Sequence, residues 1–175
     1  MNVARWSILL AVFAAIAFAL PTTAVADTPT LTGTYSYDEE NSDDMLEAFT
    51  PAIDEMSRMR RGFARRAVRN QAEQPERMRI ELSDDKITIQ AGSDPAIVAP
   101  LNGEAVRYTN KDDEPEQVTA RKKGDGVEVH RDFEDGEYLT EYKLQSNGQT
   151  LRIESKITMD ALPKAVQFNR SYQRQ

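Results

Sequence analysis

The sequence predicts a mainly β protein: an up-and-down antiparallel β-barrel of about 8–10 strands with a helical insertion between the first and second strands. Three patterns carry that expectation. From Met78 onward, turn signals recur at short, even spacing: Ser83-Asp84-Asp85, Gly92-Ser93-Asp94-Pro95, Asn102-Gly103, Asn110 to Asp113, Gly124-Asp125-Gly126, Asp135-Gly136 and Asn147-Gly148. Asn-Gly and Asp-Gly take the positive φ angles of tight hairpins at little steric cost, so this rhythm writes a meander. Between the turns lie short stretches of Val, Ile, Thr, Tyr and Leu in which apolar and polar residues alternate, as in strands with one packed and one wet face. From Asn41 to about Asn70 the apolar residues instead recur at three- and four-residue steps, which is helical.

Residues 1–26 read as a secretory leader. Arg5 supplies a positive start, Ile8 to Leu20 an apolar centre and Ala24-Val25-Ala26 a small-residue cleavage site. The apolar stretch is shorter than the roughly 20 residues of a membrane-spanning helix. Cleavage near Ala26 is expected to leave residues 27–175 as a single barrel domain, periplasmic or secreted. Leu31 to Tyr37 reads as the first strand. The helical stripe then runs through Met45, Leu46, Phe49, Ile53, Met56, Met59 and Phe63. Asn41 is its expected N-cap, with Asp43 and Asp44 in the first turn. Thr50-Pro51 signals a second start, so one kinked helix or two in tandem fit. After a connector over Gln71 to Glu76, strands are expected at Arg77 to Leu82, Lys86 to Gln90, Ala96 to Ala99, Glu104 to Thr109, Glu116 to Lys122, Gly126 to Phe133, Glu137 to Leu144, Gln149 to Thr158 and Ala165 to Gln173.

Composition removes several function classes. The chain has no cysteine, hence no disulfide, thiolate nucleophile or thiolate metal site. His130, the only histidine, lies on the polar parity of its strand, so zinc hydrolysis and Ser-His-Asp chemistry lack their parts. A net charge of −7 opposes general nucleic-acid binding. No nucleophile, base or metal set stands out, so the reading leans away from an enzyme and expects no cofactor and no metal.

A strand, a helical pair and a long antiparallel meander whose final strand returns to the first form the element order of the fatty-acid-binding-protein branch of the lipocalin-like (calycin) superfamily. The opening Leu31-Thr32-Gly33-Thr34-Tyr35 resembles the glycine-plus-aromatic start of such barrels, and Phe168-Asn169-Arg170-Ser171-Tyr172 resembles the family's Arg-x-Tyr on its last strand. The resemblance implies that Arg170 and Tyr172 hold a lipid carboxylate inside the barrel. The family's second anion-binding arginine, on the strand third from the end, has no counterpart in Glu137 to Leu144. Arg131, one strand earlier, stands nearest. The Ser42-Asp43-Asp44 opening of the helix and the basic, tyrosine-bearing last strand also resemble small bacterial exported proteins.

Arg131 shares the parity of Val127, Val129 and Phe133, and Arg170 that of Val166, Phe168 and Tyr172. A guanidinium on an apolar face needs a partner, which is either an anionic ligand or an acid of a neighbouring strand. Arg58, Arg60, Arg61, Arg65, Arg66 and Arg69, interleaved with Met56, Met59, Phe63 and Val68, make a basic amphipathic helix. It reads either as a lid that touches anionic membrane or as a solvated face answering the acidic loops Asp38 to Glu40 and Asp112 to Glu116. Asp112, Asp113, Glu114 and Glu116 match no calcium loop and read as a solvated hairpin tip. Tyr138 and Tyr142 are expected to fill core. The leading expectation is therefore a non-catalytic, monomeric exported protein binding a fatty acid or other small amphipathic anion. In it Arg131, Arg170 and Tyr172 orient the head group, and Met45, Phe49, Ile53, Met56 and Phe63 form the underside of the lid. The alternative is an interaction protein with a filled core whose Arg-rich helix binds an anionic envelope surface or a protein partner.

Overall fold

The computed structural model of the chain describes residues 30–71 and 74–175, so the leader expected over residues 1–26 lies outside them. Ten strands follow one another: β1 (Gly33–Asp38), β2 (Arg77–Leu82), β3 (Lys86–Ala91), β4 (Ile97–Pro100), β5 (Val106–Thr109), β6 (Pro115–Lys123), β7 (Gly126–Phe133), β8 (Gly136–Leu144), β9 (Thr150–Met159) and β10 (Val166–Arg174). They form one antiparallel sheet in the order β4-β3-β2-β1-β10-β9-β8-β7-β6-β5. Every neighbour but one is consecutive in sequence, as the hairpin rhythm predicts; the exception is β10, which returns to pair β1. The sheet curls until its edges β4 and β5 approach, and Asn102, between them, bridges to Arg121 of β6. The result is the nearly closed barrel expected.

Two apolar layers fill it. Tyr35, Met78, Ile80, Ile87, Ile89, Val118, Ala120, Val127, Val129, Leu151, Ile153 and Tyr172 form one continuous buried cluster. Each fully buried aliphatic side chain there contributes about 1.5–3 kcal/mol. The second layer, Phe49, Ala52, Ile53, Val166 and Phe168, lies where the helices cover the barrel.

Those helices are α1 (Met45–Asp54) and α2 (Arg58–Gln71), preceded by a 3-10 turn over Glu39–Asn41. Two tandem helices are thus correct, but their punctuation differs from the expectation. Asp44, and not Asn41, caps α1, its carboxylate accepting from the Glu47 amide at 2.7 Å. Asn41 instead donates to the Asp38 carboxylate and ends the 3-10 turn. Thr50-Pro51 does not start a helix: the Thr50 hydroxyl donates to the Leu46 carbonyl inside α1, and Pro51 lies within the same helix. The break comes at residues 55–57, and α2 restarts in a new phase.

The root of the lid is stitched to the outward edge of β10. Asp43 receives the Asn169 amide at 2.7 Å and returns its own N–H to the Asn169 carbonyl, while the Ser42 hydroxyl accepts from Ser171 N at 2.9 Å and the Ser171 hydroxyl donates to the Asn41 carbonyl. The Ser-Asp-Asp opening of the helix is therefore a seam, with Asp44 capping and Ser42 and Asp43 docking.

Two glycine substitutions separate close strand approach from helix entropy. A methyl at Gly136 would overlap the Thr158 carbonyl on β9, whereas at Gly62, in α2, it would meet nothing. Gly136→Ala is expected to lose about 1–3 kcal/mol in urea unfolding, and Gly62→Ala to gain about 0.5–1 kcal/mol.

Candidate ligand-binding site

Arg170 projects inward from the middle of β10, where the register sets it beside Ile153 of β9. Its Nη2 donates to the Tyr138 hydroxyl at 2.7 Å and to Ser155 Oγ at 3.1 Å, and its Nη1 donates to Gln74 Oε1 at 3.0 Å. Its Nε has no partner, and among the described residues it makes no ion pair. The guanidinium lies 5.4 Å over the Phe168 ring. Burial pulls its pKa down, but the Tyr138, Tyr172, Tyr142 and Tyr37 hydroxyls outweigh that, and the group stays a cation.

Arg131 has a different fate. Its Nε and Nη2 donate to Glu116 Oε2 and Oε1 at 2.6 and 2.7 Å, a bidentate pair with side chains 26% and 3% exposed. Burial lowers its pKa and Glu116 raises it beyond that loss. Flanked by the Tyr108 and Tyr138 rings at 5.7 and 5.9 Å, this pair is a neutral wall. Glu116 accordingly leaves the acidic hairpin tip to which the sequence assigned it: it shares the inward parity of Val118 and Ala120 and is buried.

Tyr172, two residues beyond Arg170, has no exposed surface, packs edge-on against Tyr37 at 5.3 Å and leaves its hydroxyl without a partner. Burial pushes its pKa up to about 12, although Arg170 opposes this, and Tyr142 is likewise raised to about 12 by burial. Both phenols stay protonated at neutral pH, so Tyr172 offers a donor. Arg170 Nε–H and Tyr172 O–H together present two unused donors, and a positive charge that no described residue compensates, inside the barrel.

The lid residues divide. Met56, Ala64 and Val68 pack toward the Phe49 and Phe168 cluster. Phe63 does not form the underside as expected: it is 75% exposed and Met59 81% exposed, because the break at residues 55–57 turns that stripe outward. Arg65 pairs with Asp54 at 2.9 Å and Arg61 Nε donates to the Met56 carbonyl. Arg58, Arg60, Arg66 and Arg69 make no ion pair among the described residues and are exposed. The acidic loops do not answer them.

Sequence reasoning missed Glu116, Tyr138, Ser155 and Gln74. The signal for Glu116 was present as a carboxylate on an apolar parity. Tyr138 sits on the inward parity of Tyr142, but its pairing with Arg170 depends on two strands of register and a connector. On the outer face, Glu128 accepts from Arg121 and Lys123, Glu141 pairs with Lys123 and Lys143, and His130 meets Glu137 at 3.1 Å. This lattice holds the hairpins together and is remote from the interior.

No protein-family profile and no curated protein matches the chain. Solved structures do. A secretory abundant heat soluble protein of Ramazzottius varieornatus aligns with a TM-score of 0.57 at 12% identity, over 83% of this chain and 95% of that one. Lipid binding protein 8 of Caenorhabditis elegans gives 0.52 at 11%, over 82% and 94%. Fatty-acid-binding protein 1 of Echinococcus granulosus gives 0.51 at 10%, over 82% and 96%. The chain has the fold of the fatty-acid-binding proteins. In this barrel Arg170 and Tyr172 occupy the last strand.

The two arginines should respond oppositely to loss of their surroundings. Glu116→Ala strands Arg131 and is expected to cost about 3–5 kcal/mol in chemical denaturation. Arg170→Met removes a charge that has no acid partner among the described residues and is expected to cost less than about 1 kcal/mol or to stabilise. A loss equal to that of Glu116→Ala would make Arg170 a structural residue. A pH effect belongs to Glu128, whose carboxyl Lys123 and Arg121 hold below the ordinary value of 4.5 against the cost of burial. A depressed folded-state pKa adds stability that is complete above 4.5 and is lost as pH falls through the folded value. Glu128→Gln should therefore be about 1 kcal/mol less stable than the parent at pH 7, and the gap should close on acidification below 4.5.

Proposed function

We propose that this protein is a non-catalytic carrier, exported after cleavage near Ala26, that binds a small amphipathic or lipidic anion inside its barrel. The observation that carries the reading is the guanidinium of Arg170, which has no acid partner among the described residues, with an unused Nε–H and the unused Tyr172 hydroxyl beside it. Leaving these unpaired costs several kcal/mol, which a carboxylate or comparable head group would offset. The names of the structural neighbours, a lipid binding protein and a fatty-acid-binding protein, agree with that ligand class. Arg131, neutralised by Glu116, bounds the site and orients the ligand through its Tyr108 and Tyr138 flank. Native mass spectrometry of protein released gently from its own compartment is expected to show a bound small acid in the parent and none in Arg170→Met; a ligand-free parent would contradict the reading.

A second role rests on the outer face of α2. Met59 and Phe63 stand in water among Arg58, Arg60, Arg66 and Arg69, a composition suited to lying on an anionic bilayer or envelope surface. Phe63→Ser combined with Arg66→Gln is expected to weaken co-sedimentation with phosphatidylglycerol vesicles at least tenfold at low salt. Unchanged binding would remove this role.

A further inference from the structure

We infer that the outer face of α2 holds phosphomonoester head groups of a lipid surface, with Gly62 as a notch beneath its arginines. The inference rests on α2 meeting an anionic surface, and it adds which head group that face selects.

Helical spacing comes first. A period of 3.6 residues brings Arg58, Gly62, Arg65, Arg66 and Arg69 onto one stripe of α2. Ala64 and Val68, on the opposite side, pack toward the apolar layer beneath the lid, so the stripe faces solvent. Met59 and Phe63, one turn apart, form an exposed apolar ridge along its flank. Helix side chains lean toward the N-terminus, so Arg65 and Arg66, one turn beyond Gly62, lean back over it. Arg65 is held by Asp54 at 2.9 Å, while Arg58, Arg66 and Arg69 have no acid partner among the described residues.

Gly62 is the second, independent observation. Glycine inside a helix costs stability relative to alanine, and a Cβ here would meet nothing, so no close packing calls for it. Its effect is to leave the helix surface bare in the middle of the arginine stripe. A phosphate group can settle there with guanidinium groups reaching it from the adjoining turns. Guanidinium forks pair with phosphate oxygens bidentately. A phosphomonoester offers three terminal oxygens and close to two charges at neutral pH, which suits more than one fork. A phosphodiester head group has fewer free oxygens and a single charge, so it engages the stripe less fully.

Charge distribution then favours a lipid surface over a free polyanion. The chain is net −7 although α2 is strongly basic, so the barrel is acidic and an anionic surface is approached through α2. A nucleic acid longer than this 14-residue helix, about 21 Å, would run onto the acidic barrel. A bilayer instead takes the Met59 and Phe63 ridge into its head-group boundary while the arginine stripe lies at phosphate level.

Flotation of the folded protein with phosphatidylcholine vesicles doped with phosphatidic acid or with phosphatidylglycerol, matched in zeta potential at neutral pH, tests this. The parent is expected to bind the phosphatidic acid vesicles at least about fivefold more tightly. Arg66→Lys keeps the charge and loses the planar fork, and is expected to cut that preference to below about twofold while phosphatidylglycerol binding holds. Gly62→Ala, which fills the notch in a helix it does not weaken, is expected to do the same, with far-UV circular dichroism verifying the fold of both variants. Equal affinity of the parent for the two lipids would overturn the head-group selection and leave the anionic-surface role standing. A preference that survives both substitutions would overturn this site as its source. Tighter binding to a single-stranded oligonucleotide than to either vesicle would overturn the lipid surface as the occupant. Binding to neither vesicle would overturn the surface role and this inference together.

Discussion

Val166–Arg174 hydrogen-bonds to β9 along one edge and to β1 along the other, and its side chains alternate between two tasks. Outward, Asn169 and Ser171 grip Asp43 and Ser42 at the root of the lid. Inward, Phe168 meets the lid's underside, Arg170 supplies charge and Tyr172 closes the floor. A strand's period of two makes these assignments inseparable. A one-residue slip would bring Asn169 and Ser171 into the core and send Arg170 into water. Barrel closure, lid attachment and the candidate site therefore share a single register.

Electrostatics then distinguishes structure from site. Arg131 and Arg170 look alike in sequence, each a guanidinium on an apolar parity. In the fold, Glu116 satisfies Arg131 with two short hydrogen bonds, while among the described residues Arg170 gathers neutral oxygens from Tyr138, Ser155 and Gln74. A protein selected for stability alone would gain by replacing Arg170 with a hydrocarbon, because neutral partners solvate a buried charge incompletely. That a half-buried guanidinium is kept there is what recommends Arg170 as the candidate binding residue.

Much of this was legible beforehand, where local chemistry decides. The turn dipeptides and strand alternation placed all ten strands to within a few residues, since hairpin geometry is set by the residues in the turn. The apolar parity of Arg131, Arg170 and Tyr172 followed from the same alternation, which left open whether the two arginines point inward. What escaped was set at a distance. Asn41 has the chemistry of an N-cap, but Asp44 lies one turn closer to the helix and Asp38 holds Asn41 back. Phe63 fits a continuous helical stripe, yet a three-residue break resets the phase and exposes it. The partnership of Glu116 with Arg131 needs the β6–β7 register, which brings Val118 opposite Arg131 and so sets Glu116 one position diagonally away. No single segment contains that information.

The barrel's filled core gives the fold a narrower interior than its outline suggests, and the outward Arg-rich face of α2 adds a separate, peripheral surface. The candidate site depends most on Arg170 having no acid partner, as it has none among the described residues. A high-resolution crystal structure of protein purified without stripping its small molecules measures this directly. An anion oxygen within hydrogen-bond distance of both Arg170 Nε and Tyr172 Oη is expected. A carboxylate side chain of the protein itself seated on Arg170 would contradict it.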